Sequence, residues 1–142
     1  MLELTIDNDE DVVRSRMTAR QVAAQVGFAH ADQARIATAV SEVARNALGH
    51  GGGGKLRFDL DRNHWRPSLV IDVSDNGPGI ADLQVVLEGQ RGGQGLISAR
   101  RLMDDFNIDS SPSGTTVSLR KFIPPETLPA TLELSSPQKS RR

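Results

Sequence analysis

Two alternating segments too close together to be joined by a helix set the first constraint on this chain. Residues 55–61, KLRFDLD, and residues 68–74, SLVIDVS, alternate apolar and polar side chains, with Val70 the one break in the pattern. A period of two is that of a half-buried strand. Only RNHWRP separates them. A parallel pair needs a crossover of about a dozen residues or more, so a linker this short predicts an antiparallel hairpin.

The other elements show the same grouping. LELTI, residues 2–6, alternates like a short strand. From Asn8, NDEDVVRSRMTARQVAAQVGF has an acidic start that suits a helix N-terminus. Val13, Met17, Val22 and Val26 recur there at near-helical spacing and are expected to face the core, with Gly27 as the stop. A second helix is expected from near Asp32, with Ile36, Ala39, Val40, Val43, Ala47 and Leu48 as its apolar stripe. Gly51 to Gly54 read as a flexible run that ends it. A short helix is expected around residues 82–88, followed by the polar-glycine link EGQRGGQ and a third strong helix in GLISARRLMDDF, residues 95–106. FNIDS and TTVSLRKF close the domain as a hairpin around SPSG.

Helices and strands thus come in pairs. This predicts an α/β (α+β) two-layer sandwich: one mixed, mainly antiparallel sheet with helices on one face. Residues 1–123 are expected to be one domain. PPETLPATLELSSPQKSRR, residues 124–142, reads as a proline- and serine-rich tail or linker.

Composition removes several classes of function. The chain has 142 residues and a formal net charge of −1, so nothing points to nucleic acid or to an anionic membrane as partner. No apolar run approaches the ~18–20 residues of a membrane span, and a cytoplasmic location is expected. There is no cysteine, which excludes disulfides, zinc–thiolate sites and cysteine nucleophiles. With no tyrosine and the single Trp65 in a polar turn, a base-stacking surface is not expected.

Three places carry chemistry. Glu42 and Asn46 stand four residues apart in the second helix, hence on one face. Val43, Ala44, Ala47 and Leu48 flank them, so these polar groups border the core, where they need partners. Asp75 ends the strand 68–74 and runs into Gly77 and Gly79. A carboxylate there can accept a hydrogen bond from an exocyclic amine such as adenine's, while the glycines let a planar ligand approach the backbone. GGQGL, residues 92–96, opens the helix of Arg100 and Arg101 and offers backbone N–H groups to an anion. GGGGKL is no P-loop: it lacks Ser or Thr after Lys55 and joins a helix to a strand, the reverse order. GPGIAD lacks the third glycine of a dinucleotide fingerprint.

Taken in order, E-x-x-x-N on a helix, D-x-G-x-G at a strand end, G-x-G-L at a helix start and G-T-T opening a strand resemble the GHKL (Bergerat-fold) ATP-binding superfamily over roughly residues 1–122. Within it, DQARIATAVSEVARNAL, DNGPGIADL, GLISARRLMDDF and GTTV look like the RsbT-type switch serine/threonine kinases and the anti-sigma-factor kinases. The resemblance implies a serine/threonine kinase using ATP (or ADP) and Mg²⁺ and acting on a STAS-domain partner. It further implies that Glu42 is the general base, Asn46 the Mg²⁺ ligand and Asp75 the reader of adenine. Gly77, Gly79 and Ile80 would wall the base pocket, and Thr115 or Thr116 would support Asp75. Gly93, Gly95 and Leu96 would lie at the phosphates, with His50 or Arg45 as a further phosphate contact. One departure stands out: only QRGGQ separates LEG from GLISARR, where related kinases carry a longer glycine-rich lid. The alternative is a nucleotide-binding module of anti-sigma type with little catalysis, its partner a sigma factor or a fused signalling domain.

Overall fold

The computed structural model describes residues 1–62, 66–79 and 94–125. In chain order these form β1 (Leu2–Ile6), α1 (Asp9–Val26), α2 (His30–Gly51), β2 (Gly54–Asp61), β3 (Ser68–Asp75), α3 (Gln94–Leu102), β4 (Asp105–Ser111) and β5 (Gly114–Phe122). The expected helix over 82–88 and most of the lid segment, with Ile80 and Gly93, lie outside the described residues.

The sheet has five strands in the order β1-β2-β3-β5-β4. Every pairing among the described strands is antiparallel, so the expected mixed sheet is uniform. Side-chain parity explains the two layers. Ile71 on β3 lies opposite Phe58 on β2 and Leu119 on β5, all buried beneath the helices. One residue along, Asp72 lies opposite Arg57 and Ser118, and Ser118 Oγ donates to Asp72 Oδ1 at 2.6 Å on the uncovered face. α2 packs against both α1 and α3 and contacts the sheet; its buried stripe runs through Ile36, Val40, Val43 and Ala47.

Local signals set the helix limits. Asn8 caps α1, its side chain accepting from Asp11 N at 2.9 Å, and Gly27 closes it in the left-handed region. Of the four α1 residues expected to face the core, Val22 and Val26 do so and Val13 and Met17 do not. Val12, Ala19, Val22 and Val26 are buried, whereas Val13 and Met17 are 57% and 58% exposed. Small residues at Ser15, Ala19 and Ala23 let α1 sit close to its neighbours, and the buried Ser15 hydroxyl donates to Asp11 O at 2.7 Å. The large side chains at 13 and 17 lie on the opposite arc.

Two other boundaries move. α2 continues through Gly51, and Gly52 (φ 74) is its left-handed cap, so the four-glycine run is fixed structure. α3 stops at Leu102, well short of Phe106, because β5 draws the next few residues into the sheet. Asp104 N donates to Arg120 O at 3.0 Å, and Phe106 pairs with Leu119.

Candidate functional site

The exit of α2 builds the site. Capped at Gly52, the chain enters β2 at Gly54, which lies opposite Asp75. The last turn of α2 is thereby set beside the end of β3. A Cβ added to Gly51 would sit 2.6 Å from Asp75 Oδ1 and against the rest of that side chain. Asp75 Oδ1 accepts from Gly77 N at 2.9 Å. Gly77 in turn lies over the α2 terminus: a Cβ there would be 3.0 Å from His50 O. Gly79 (φ +83) is packed on Ser111 and Ser110 of the β4–β5 hairpin.

On the side of α2 turned away from the core, Glu42, Arg45, Asn46, Gly49 and His50 line a cavity of about 300 Å³ together with Gly95 and Leu96 of α3. Leu96 is 1% exposed and roots α3 in the core. Gly95 brings the α3 N-terminus onto Glu42, where an added Cβ would lie 2.7 Å from Glu42 Oε1. Arg45 Nη1 stands 3.5 Å from the same oxygen. This pair is open to water, its side chains 62% and 33% exposed, so the arginine is weakly held. Asn46 has no side-chain hydrogen-bonding partner among the described residues, and it lines the cavity.

Register separates the two candidate threonines. Thr115 lies directly opposite Asp75, on the inner face, and is 4% exposed. Its hydroxyl is 2.8 Å from that of Ser110. Thr116 lies opposite Ser74 on the outer face, its hydroxyl 3.4 Å from Ser74 Oγ. The structure therefore gathers Glu42, Arg45, Asn46, His50, Asp75, Gly77, Gly95, Leu96 and Thr115 around the α2 terminus, and leaves Thr116 on the far side of the sheet. Gly51 belongs to the site and was not legible as such. The only signal was its place in a glycine run, which reads equally well as a flexible linker.

The donor set suits a nucleotide with its metal. Among the described residues Asp75 Oδ2 has no hydrogen-bonding partner, leaving it for an amine donor beside the N–H-paired Oδ1, and Asn46 lines the cavity with Gly95 at the α3 N-terminus, where an anion is favoured. Among the described residues no cluster of three or more His, Asp or Glu is disposed around a metal, so an ion here would rest on Asn46 and on the ligand's own oxygens.

The model of the histidine kinase-like ATPase domain matches residues 6–121. The chain belongs to that family. It is 37% identical over 119 residues to the serine/threonine-protein kinase RsbT of Bacillus subtilis, covering 80% of this chain and 90% of RsbT. That likeness groups this family member with the kinases. An anti-sigma F factor of Thermoanaerobacter sp. (strain X514) is 29% identical over 134 residues, covering 87% and 94% of the two chains. Among solved structures, the RsbU and RsbW domains of a Mycobacterium tuberculosis protein superpose with a TM-score of 0.65 at 25% identity, over 87% of this chain and 33% of that one. The two-layer fold expected of such a domain is the one observed. Among the described residues no helix is long and apolar enough to cross a membrane.

Proposed function

We propose that this ATPase-family domain is an ATP- and Mg²⁺-dependent serine/threonine kinase that phosphorylates a STAS-domain regulator in a partner-switching system. The observation that carries the reading is the placing of Glu42 and Asn46 one turn apart on the wall of the cavity bordered by the α3 N-terminus, Asn46 having no hydrogen-bonding partner among the described residues. Asp75 orients the adenine through its amino group, with Gly77 holding the carboxylate. Asn46 holds the metal, which neutralises phosphate charge when bound. The N–H groups at the start of α3 receive phosphate oxygens. Glu42 accepts the proton of the partner's hydroxyl as its oxygen bonds to the γ-phosphorus. The bond from that phosphorus to the β-phosphate bridging oxygen breaks, and ADP leaves.

Mixing the protein with Mg²⁺, labelled ATP and STAS-domain proteins of the same genome tests the reading. Glu42→Ala should keep nucleotide binding and lose ~10²–10⁴ in transfer rate. Asn46→Ala should weaken binding of the Mg²⁺ complex and transfer together. The likeness to anti-sigma F factors supports a second reading, a nucleotide-gated binder. Wild-type protein that binds nucleotide and partner but transfers no phosphate would establish that one instead.

A further inference from the structure

Away from the cavity, where α2 begins and α3 ends, one buried cation joins three elements. Lys121 lies on the inner face of β5 and is 9% exposed. A cation so far from water needs partners, and its ammonium has three. It donates to Leu102 O at the end of α3 at 3.1 Å. It stands 3.7 Å from Asp32 Oδ1 in the first turn of α2, and 3.7 Å from Asp104 Oδ1. Both carboxylates are themselves held. Asp32 Oδ1 accepts from Arg35 Nη1 at 2.9 Å, and Asp104 Oδ2 accepts from Phe122 N at 2.8 Å. Leu102 O is among the last carbonyls of α3, which no later helical N–H reaches.

These partners matter because of where their helices lead. α2 runs from Asp32 to Glu42 and Asn46, and α3 runs back from Gly95, set on Glu42, to Leu102 at Lys121. The two helices are antiparallel and together wall the cavity. Helix carbonyls point along the axis toward the C-terminus, so a donor beyond the last turn fixes how far α3 slides. Leu96 and Ala99 hold the middle of α3 by apolar contact, which is non-directional. From Leu102 back to Gly95 is about 10 Å at ~1.5 Å per residue, and a slide along the axis reaches Gly95 undiminished. Toward Glu42 there is no slack, because an added Cβ at Gly95 would lie 2.7 Å from Glu42 Oε1.

We propose that Lys121 is a positioning residue for the nucleotide phosphates: it holds α3 in the axial place at which its N-terminus meets them beside Glu42. The inference rests on the kinase reading and adds to it a residue that touches neither nucleotide nor protein substrate. Removing the ammonium leaves Asp32 and Asp104 as like charges beside an unpaired carbonyl, and the end of α3 shifts to regain a donor from water. Gly95 shifts with it. Asp75 and Gly77 follow β3 and are not carried by α3, so the base-reading carboxylate stays in place.

Adenosine and ADP separate this role from a merely structural one. Adenosine has the base that meets Asp75 and lacks the phosphates that meet α3. The variants, made in the full chain, are Lys121→Met, which keeps an unbranched side chain without its charge, and Asp32→Asn, at a partly exposed position. Calorimetry with Mg²⁺ present reads the affinity for each ligand, and melting checks the fold. Lys121→Met should lower ADP affinity by ~2–30-fold, the usual reach of a substitution within a coupled network, and leave adenosine affinity unchanged. Asp32→Asn should lower ADP affinity in the same sense by a smaller factor, and it carries the test alone if Lys121→Met does not fold. A lower melting temperature with both affinities unchanged would make Lys121 a purely structural residue and overturn the inference. Equal losses for ADP and adenosine would overturn it too, because the effect would not be confined to α3. Wild-type protein that prefers ADP, with that preference intact in the variants, sinks the inference and leaves the kinase reading standing. Wild-type protein that binds adenosine as tightly as ADP takes the phosphates away from α3, and both readings fall together.

Discussion

Replacing Gly51 by alanine isolates the contact that positions the Asp75 carboxylate. The added methyl would lie 2.6 Å from Asp75 Oδ1, and ordinary contact begins at 3.4 Å, so the oxygen must retreat by about 0.8 Å. The Cβ of Asp75 also meets the methyl, so rotating the side chain does not clear it. Either the end of β3 or the last turn of α2 has to move. Overpacking of this kind costs ~1–3 kcal/mol. The bond from Gly77 N to Asp75 Oδ1, now 2.9 Å, would be strained with it. If Asp75 reads the adenine amino group, misplacing it should cost ~1–3 kcal/mol of binding, or ~5–150-fold in affinity.

Calorimetry with ADP, run beside thermal melting, gives both numbers. Asp75→Asn is the companion variant. It presents a donor where an acceptor is required and should lose affinity to a similar extent while melting close to wild type. Gly49→Ala is the control for stability, since nothing lies within 4 Å of its added Cβ and alanine favours the helix. Wild-type ADP affinity in Gly51→Ala would refute the argument, because it would mean that the position of Asp75 does not matter to the ligand.

Two further outcomes are expected. Thr115→Val should lower ADP affinity by ~2–12-fold, the weight of one neutral hydrogen bond, whereas Thr116→Val should leave it unchanged; equal effects in a titration would dissolve the distinction between the two faces. Ile71→Ala, at a position with 0% exposure in the central strand, should destabilise the fold by ~2–5 kcal/mol in chemical denaturation, and a loss under about 1 kcal/mol would mean that the core closes around the gap.

The strands were legible because all but Leu69–Ile71 of β3 alternate, and a half-buried strand has no other way to hide one side. Val73, Ile71 and Leu69 could only face the helices together. α1 was legible as a helix, but its rotation only in part: Val22 and Val26 face the core, Val13 and Met17 do not. Val13 and Met17 carry more apolar surface than Ala19 and Ala23, and hydropathy alone turns the larger side chains inward. Close packing against α2 favours the smaller ones, and that preference depends on how near the neighbouring helix lies, which the sequence of α1 does not contain. The end of α3 fails for a related reason. LMDDF continues a helical pattern, and only the hydrogen bond from Asp104 N to Arg120 O, donated to a strand much later in the chain, stops it.

The site was legible where its geometry is local. Glu42 and Asn46 share a face because any helix puts them there. Bringing them near Asp75 is not local, and it depends on a short path: α2 ends at Gly51, Gly52 turns the chain, and Gly54 already pairs with Asp75. No insertion fits in that path without sliding β2 against β3, and a slip of one residue would turn Leu56 and Phe58 of β2 to the uncovered face. The same parity decides between the threonines. Sequence places both in GTTV, but only the residue opposite Asp75 shares its face, and the β3–β5 register makes that residue Thr115. Glycine at 51 is then required by the proximity that the short path creates, since a side chain there would occupy the space of the Asp75 carboxylate.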